Sequence, residues 1–384
     1  MISSTVSTLT VLLIVLFLFH EGFSLFSTSP VENNNIIVVN AKNPVNHLHA
    51  GQIKLIYDHV KTRWSDFGGN PDSIILFRIN DIGNYYSEEE IGDEFQYLPE
   101  KLNMLVDSIP NIIAYFPEQY LAADFKGHKI EINKNNIPDF FKGKEWFPTA
   151  EPAAQLGALP LILGTLMVSF FAILFALPVG LAAAIYLAEV ADERIRKLLK
   201  PIIELLAGIP SVVFGFFGLI VIVPLIHDLF KLPVGETALA GSIVLAIMAL
   251  PTIITVSEDA IRNTPRSMKE ASLALGATRW QTIYRVVIPY SMSGISAAAI
   301  LGIGRAIGET MAVLMVTGNA AVMPRSLLQP VRTIPATIAA ELGEAPKDGV
   351  HYKALFALGC ILFIMTLLIN LWVQYVSDKR RNKV

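Results

Sequence analysis

Six long apolar segments limit what this sequence of 384 residues can fold into. They cover approximately residues 8–26, 156–187, 205–226, 237–257, 291–318 and 354–376. In lipid every backbone N–H and C=O group must be bonded internally, and a helix of roughly 20 apolar residues crosses about 30 Å of hydrocarbon. Only 16% of the residues are charged, against about 25% in soluble domains. The sequence therefore predicts an all-α membrane protein with six transmembrane helices.

Basic residues predict the orientation of these helices, because short cytoplasmic loops are enriched in Lys and Arg. Three such clusters follow the second, fourth and sixth segments: Arg194, Arg196, Lys197 and Lys200; Arg262, Arg266, Lys269, Arg279 and Arg285; and Lys379, Arg380, Arg381 and Lys383. We expect both termini in the cytoplasm and the chain in the bacterial inner membrane. The first segment lacks a basic N-terminus and a small-residue cleavage site, so we expect a retained anchor over residues 1–26 rather than a signal peptide.

Residues 27–150 differ from the rest of the chain. They hold 11 Lys and Arg against 17 Asp and Glu, a net charge of −6. The order of an alternating apolar run at Ile36, a helical stretch from Ala50 and a second apolar run at Ser73 predicts β, α and β. We interpret this stretch as a folded extracytoplasmic α/β insert, followed by a membrane core over residues 151–384.

A polar, helix-forming stretch lies between the fourth and fifth segments, within residues 258–290. It contains Glu270, Ala271, Gly276 and Pro289 in the pattern EASLALGATRWQTIYRVVIP. The pattern resembles the EAA loop of ABC-transporter permeases, with Ser272 in place of the usual second alanine. That resemblance implies a helix, a glycine turn and a second helix that dock on a cytoplasmic ATPase.

The fifth segment carries charges where charges are costly. Arg305 and Glu309 are four residues apart in GIGRAIGETMAVLMVTGN, so on a continuous helix they would share one face and pair. Intramembrane charges usually face a cavity or a bundle interior, and arginine binds oxyanions through a planar fork of donors. We predict a substrate pathway at Arg305, Glu309 and Thr310; the alternative is a structural ion pair.

Several strings together resemble the PstC-type permease subunit of the phosphate-specific ABC transporter. They are GRAIGETMAVLMVTGN, LLAGIPSVVFGFFGL and GKEWFPT with LGALPLILGT. The resemblance implies the MetI-like permease fold and import of inorganic phosphate. It also implies three kinds of partner: a sister permease of the PstA type, a dimer of ATP-binding subunits of the PstB type, and an extracytoplasmic phosphate-binding protein of the PstS type.

The insert has a resemblance of its own, to the second lobe of periplasmic phosphate-binding proteins, carried by residues 36–81. In that family an Arg followed by Asp-Ser-Gly-Thr cradles phosphate; here Arg78 is followed by Asp81, Ile82, Gly83 and Asn84. Both hydroxyl donors are missing and only one lobe is present. We therefore expect a degenerate lobe used for docking or regulation.

Other function classes lack their signatures. The sequence contains no G-x-x-x-x-G-K-[ST] loop, so the chain itself is not expected to be an ATPase. It has no Cys/His spacing typical of zinc and no basic–aromatic pattern typical of nucleic-acid binding, and we expect no metal and no cofactor. Two alternatives stay open: import of molybdate, tungstate or sulfate, and a membrane sensor with a degenerate ligand-binding domain.

Overall fold

The computed structural model describes residues 2–32 and 34–381. Lys383, one of the basic residues used to predict orientation, lies outside them. Two compact units are present: Met1–Ala158 with Glu344–Ala357, and Leu159–Gly343 with Leu358–Val384.

The first unit is an α/β fold that follows a long N-terminal helix. Its helices are α1 (Ile2–Ser24), α2 (Ala50–Tyr57), α3 (Glu88–Ile91), α4 (Leu98–Ser108) and α5 (Ile137–Lys142). Its strands are β1 (Asn35–Val39), β2 (His47–Leu48), β3 (Ile75–Arg78), β4 (Ile112–Pro117), β5 (His128–Lys129), β6 (Glu131–Ile132), β7 (Trp146–Phe147) and β8 (Gln155–Leu156).

A four-stranded sheet in the order β3-β4-β1-β5 organises this unit. Strand β4 is parallel to β3 and antiparallel to β1, so the predicted β, α, β order along the chain does not make β1 and β3 neighbours. Buried side chains cover both faces of the sheet. One group includes Ile53, Trp64 and Ile113; the other includes Phe77, Leu102 and Phe116.

The second unit is helical. It comprises α6 (Leu159–Ile185), α7 (Glu193–Ala207), α8 (Ser211–Phe217), α9 (Val223–Phe230), α10 (Ala238–Arg262), α11 (Arg266–Ala274), α12 (Arg279–Thr282), α13 (Ile288–Gly308), α14 (Met311–Val316), α15 (Ile334–Glu341) and most of α16 (Val350–Arg381).

Six helical stretches among the described residues are long and apolar enough to cross a membrane, which confirms the predicted number. They are Val6–Ser27, Leu159–Val190, Ser211–Phe230, Ala238–Arg262, Arg279–Gly308 and Val350–Tyr375. We call them spans one to six. Short π-helical turns lie in three of them, at Tyr186–Val190, Gly218–Ile222 and Ile283–Val287.

Span four, formed by α10, is the central helix of the second unit and packs against α6 and α13. Small residues allow this close approach, as is usual between membrane helices. A Cβ added at Gly180 would lie 2.7 Å from an Ile253 side-chain atom, and one added at Gly302 would lie 3.0 Å from the same side chain. Both glycines therefore act as packing positions around Ile253.

Candidate substrate pathway and coupling segment

Span five does not continue as one helix through Gly318. Helix α13 ends at Gly308, Glu309 is extended with φ −71° and ψ 133°, and α14 begins at Met311. The prediction of a continuous helix over residues 291–318 is therefore wrong. Gly304 and Gly308 explain the weakness of the helix here, because glycine is a poor helix former and neither position has a side chain to pack.

Two hydroxyl groups replace hydrogen bonds that this break removes. The Ser169 hydroxyl of α6 donates to the Ala306 carbonyl at 3.3 Å, and the Thr310 hydroxyl donates to the Gly308 carbonyl at 3.3 Å. The Glu309 carboxylate accepts from the Thr310 backbone N–H at 3.2 Å. Freed backbone groups at membrane depth need such partners, so the break is supported by the surrounding side chains.

Because the helix ends before Glu309, the predicted Arg305–Glu309 pair does not form. Within the described part of the chain no ion pair joins them. The Arg305 guanidinium instead donates through Nη1 to the Thr252 hydroxyl of α10, at 3.4 Å. Arg305 and Glu309 are both half-buried. Their assignment to the substrate pathway stays a prediction, but it no longer includes mutual neutralisation.

A cavity of about 490 Å³ lies beside the break. Thr310 and Gly308 line it, together with residues of α15, the turn that follows it and α16: Pro335, Ile338, Ala339, Leu342, Gly343 and Leu362. Arg305 and Glu309 are not among the lining residues. Thr310 thus lines an apolar cavity and neither charged residue does, although the Thr310 N–H bonds the Glu309 carboxylate.

The wall of this cavity is held by an ion pair that sequence reasoning missed. Arg332 Nη1 lies 2.6 Å from Glu341 Oε1, so the pair links a residue just before α15 to the last residue of that helix. The Thr165 hydroxyl of α6 accepts from the Ile334 N–H at 2.9 Å, which fixes the start of α15. The signal available in the sequence was an Arg and a Glu at either end of a short apolar stretch.

The predicted coupling segment forms two helices joined by a glycine turn. Gly276 has φ +82° and lies between α11 and α12, with open space where a Cβ would be. Backbone conformation, and not crowding, therefore requires glycine here. The Thr278 and Gln281 side chains cap the start of α12 reciprocally. Pro289 lies in the first turn of α13, beyond the two coupling helices.

The outer face of this segment is exposed and partly apolar. Glu270 and Ala271 are exposed on α11. Leu275 is 89% exposed and Trp280 is 64% exposed, although both are large apolar side chains. The inner face is tied down by the Ser272 and Thr282 hydroxyls, 3.0 Å apart. Leu275 and Trp280 thus present large apolar side chains to the outside on either side of the Gly276 turn.

A buried carboxylate lies where α10 leaves the membrane core. Glu258 is 1% exposed; its Oε2 lies 3.1 Å from Lys200 Nζ of α7, and its Oε1 lies 3.6 Å from Arg262 Nη1. Burial lowers the pKa of Lys200, but hydrogen bonds to Asp259 and Glu258 outweigh it and leave the pKa raised. The ammonium therefore stays charged and holds α7 against α10.

In the insert, the residues predicted to correspond to an anion cradle lie around Arg78. The Arg78 backbone N–H donates to Asp81 Oδ2 at 3.0 Å, and the Arg78 guanidinium lies 5.3 Å from the centre of the Tyr57 ring. Ile82, where the predicted resemblance implies a serine, packs against the apolar core, and Asn84 is exposed. Burial raises the pKa of the Tyr57 phenol, and the Arg78 charge opposes that rise only in part.

Comparison with known proteins gives one family and several relatives. Residues 176–382 match the family described as binding-protein-dependent transport system inner membrane component. A probable ABC transporter permease protein, YqgH of Bacillus subtilis, is 41% identical over 243 residues, covering 63% of this chain and 78% of its own. The phosphate transport system permease protein PstC of Mesorhizobium japonicum is 39% identical over 256 residues, covering 62% of this chain and 77% of its own.

Among solved structures, a chain of the inward-facing MetNI methionine ABC transporter is similar with a TM-score of 0.45. It is 19% identical, and the match covers 61% of this chain and 99% of that one.

Proposed function

Because the chain belongs to the family of binding-protein-dependent transport system inner membrane components, we infer that it is a PstC-type permease subunit of an ATP-driven phosphate importer. Relatives that carry the name phosphate transport system permease match it at 38–39% identity. The observation that carries the proposal within this molecule is the coupling segment. Its glycine turn and its exposed Leu275 and Trp280 suit a helix pair that docks in a groove of an ATPase.

The partners follow from this role. We assign a PstA-type sister permease, which would complete the translocation pathway, a PstB-type ATP-binding dimer on the cytoplasmic side, and a PstS-type phosphate-binding protein outside. Both termini would then lie in the cytoplasm and the insert outside. The chain supplies no phosphate-binding loop for ATP, so hydrolysis belongs to the ATP-binding subunits.

The transport cycle uses the coupling segment to change access to the pathway. Closure of the ATP-binding dimer would move α11 and α12, and span five would follow because it is continuous with α12 through the π-helical turn Ile283–Val287. Arg305 would meet phosphate during this change, since within residues 2–32 and 34–381 its guanidinium is held by one long hydrogen bond and it is half-buried. A weakly held, weakly hydrated guanidinium can exchange a hydroxyl partner for an oxyanion.

The insert is assigned to docking or regulation. Ile82 and Asn84 stand where the resemblance implies a serine and a threonine, and neither supplies a hydroxyl donor. The net charge of −6 on residues 27–150 also opposes phosphate binding. The sensor alternative loses its support, because the family match covers more than half of the chain and describes a transport component.

The test is purification of the membrane complex followed by reconstitution. We expect a tagged chain to bring with it a P-loop ATPase, and proteoliposomes of the complex with its binding protein to accumulate labelled phosphate when ATP is supplied. Competition by molybdate, tungstate and sulfate distinguishes the nearer alternative. Accumulation of labelled molybdate, tungstate or sulfate without accumulation of labelled phosphate would replace phosphate as the substrate.

A further inference from the structure

The coupling segment is connected to span five through the chain, and it is also connected to span two by an ion pair that the sequence pattern does not predict. Lys269 of α11 and Glu189 of the π-helical turn Tyr186–Val190 are 80 residues apart in sequence. Their Nζ and Oε1 atoms lie 2.5 Å apart, and the side chains are only 22% and 13% exposed. In the described residues this is the one ion pair that joins α11 to a membrane span.

The partial burial of this pair distinguishes it from an ordinary surface pair. The Glu193–Lys197 pair of α7 is longer, at 3.1 Å, and its side chains are 70% and 73% exposed. Exposed pairs contribute little because water screens them. A covered pair that loses one partner leaves a charge without compensation, so Glu189 and Lys269 constrain each other much more strongly.

The position of Glu189 determines which part of span two the ion pair holds. Span two ends in a π-helical turn, after which Ala191 N–H bonds back to the Tyr186 carbonyl at 2.7 Å. Such turns are wider than α-helical ones and are frequent at functional sites. Span five also carries a π-helical turn near its start, directly after α12. The coupling segment is therefore attached to a π-helical turn on each side, one through the chain and one through the ion pair.

We propose that the Glu189–Lys269 pair is a latch that transmits movement of the coupling segment to span two, so that spans two and five move together when the ATPase closes. Glu189 is then a positioning residue for transport. It acts through Lys269 and touches neither ATP nor the transported anion. The proposal rests on the proposed function, because it assigns the ion pair a part in the same coupling.

Charge reversal and exchange test the latch in the whole reconstituted complex. Glu189→Lys and Lys269→Glu each place like charges together, whereas the double exchange restores an ion pair of opposite polarity. We expect each single variant to lower labelled phosphate moved per ATP hydrolysed by roughly fivefold or more, the lower range for coupling between sites. The double exchange should recover at least about half of the lost ratio.

The same exchange at Glu193 and Lys197 is the matched control and should leave the ratio unchanged. Membrane abundance and copurifying ATPase are measured for every variant; where a reversal lowers abundance, the neutral Glu189→Gln variant is measured in its place. Normal ratios in the single variants, or a double exchange as poor as the worse single variant at equal abundance, would overturn the latch. Failure of the wild-type complex to move phosphate would instead refute the substrate, since the effect of the pair on ATP hydrolysis is still measurable.

Discussion

Replacing Arg305 by lysine tests whether this residue meets the transported anion. The structure removes the earlier expectation that Glu309 compensates its charge, because helix α13 ends between them and no ion pair forms in the described chain. Arg305→Lys keeps the positive charge but loses the planar fork of donors. We therefore expect uptake to fall while the protein stays in the membrane.

The size of each effect follows from the contacts. The structural loss is one hydrogen bond to Thr252 of 3.4 Å, which is long for this type and is worth less than about 1 kcal/mol. One lost charged hydrogen bond to an oxyanion in the transition state is worth about 1.5–3 kcal/mol, or between about tenfold and about a hundredfold in rate. Uptake should thus fall by at least about tenfold, with membrane abundance within about twofold of wild type.

The assay is initial uptake of labelled phosphate by reconstituted complexes, divided by the amount of chain in the membrane. Arg325→Lys is the matched control, because Arg325 is exposed in the segment that follows α14. Glu309→Gln should leave abundance unchanged, since no buried arginine depends on its charge. Wild-type uptake by Arg305→Ala at wild-type abundance would remove Arg305 from the pathway.

Three further outcomes are expected. Gly276→Pro and Glu270→Lys should reduce copurification of the ATPase without loss of membrane insertion. Proline cannot adopt φ +82°, and lysine at position 270 reverses an exposed charge on the docking face. Pull-down of the ATPase and the amount of chain in the membrane are measured together for both variants. An isolated insert of residues 29–158 should show no phosphate binding by calorimetry below the millimolar range. The fragment extends to Ala158 because the Ala154 N–H bonds the Pro30 carbonyl and the Gly157 N–H bonds the Glu145 carbonyl. Micromolar binding that is lost in Arg78→Ala would contradict this prediction. Tyr57→Phe should leave the insert as stable as wild type, or up to about 1 kcal/mol more stable, in thermal unfolding. The reason is that the buried Tyr57 hydroxyl has no hydrogen-bond partner among the described residues. A clear drop in stability would show that the hydroxyl does have a partner.

Sequence reasoning succeeded where hydrophobicity alone decides the structure. The six spans could be predicted because lipid requires long apolar helices, and their number is confirmed. The glycine turn at Gly276 could be expected because a positive φ favours glycine so strongly.

Features that depend on distant partners were not predictable in the same way. The break at Glu309 follows from two weak glycine positions and from the hydroxyl of Ser169, which is 137 residues away from Ala306. The pairing of Glu189 with Lys269 and the insertion of β4 between β1 and β3 likewise join parts of the chain that no local pattern connects. Local periodicity carries no information on such contacts.

The polar contacts of span five also bear on how the chain is made. Ser169, which bonds the Ala306 carbonyl, and Thr252, which bonds Arg305, both precede span five in the sequence. A ribosome that feeds the chain into the membrane from its N-terminus has therefore released both hydroxyls before Arg305 leaves the translocon. The Arg305 guanidinium and the Ala306 carbonyl can therefore form their hydrogen bonds with hydroxyl groups that are already in the bilayer. In a chain permuted so that spans two and four were synthesised last, Arg305 and the Ala306 carbonyl would enter the membrane before these two partners.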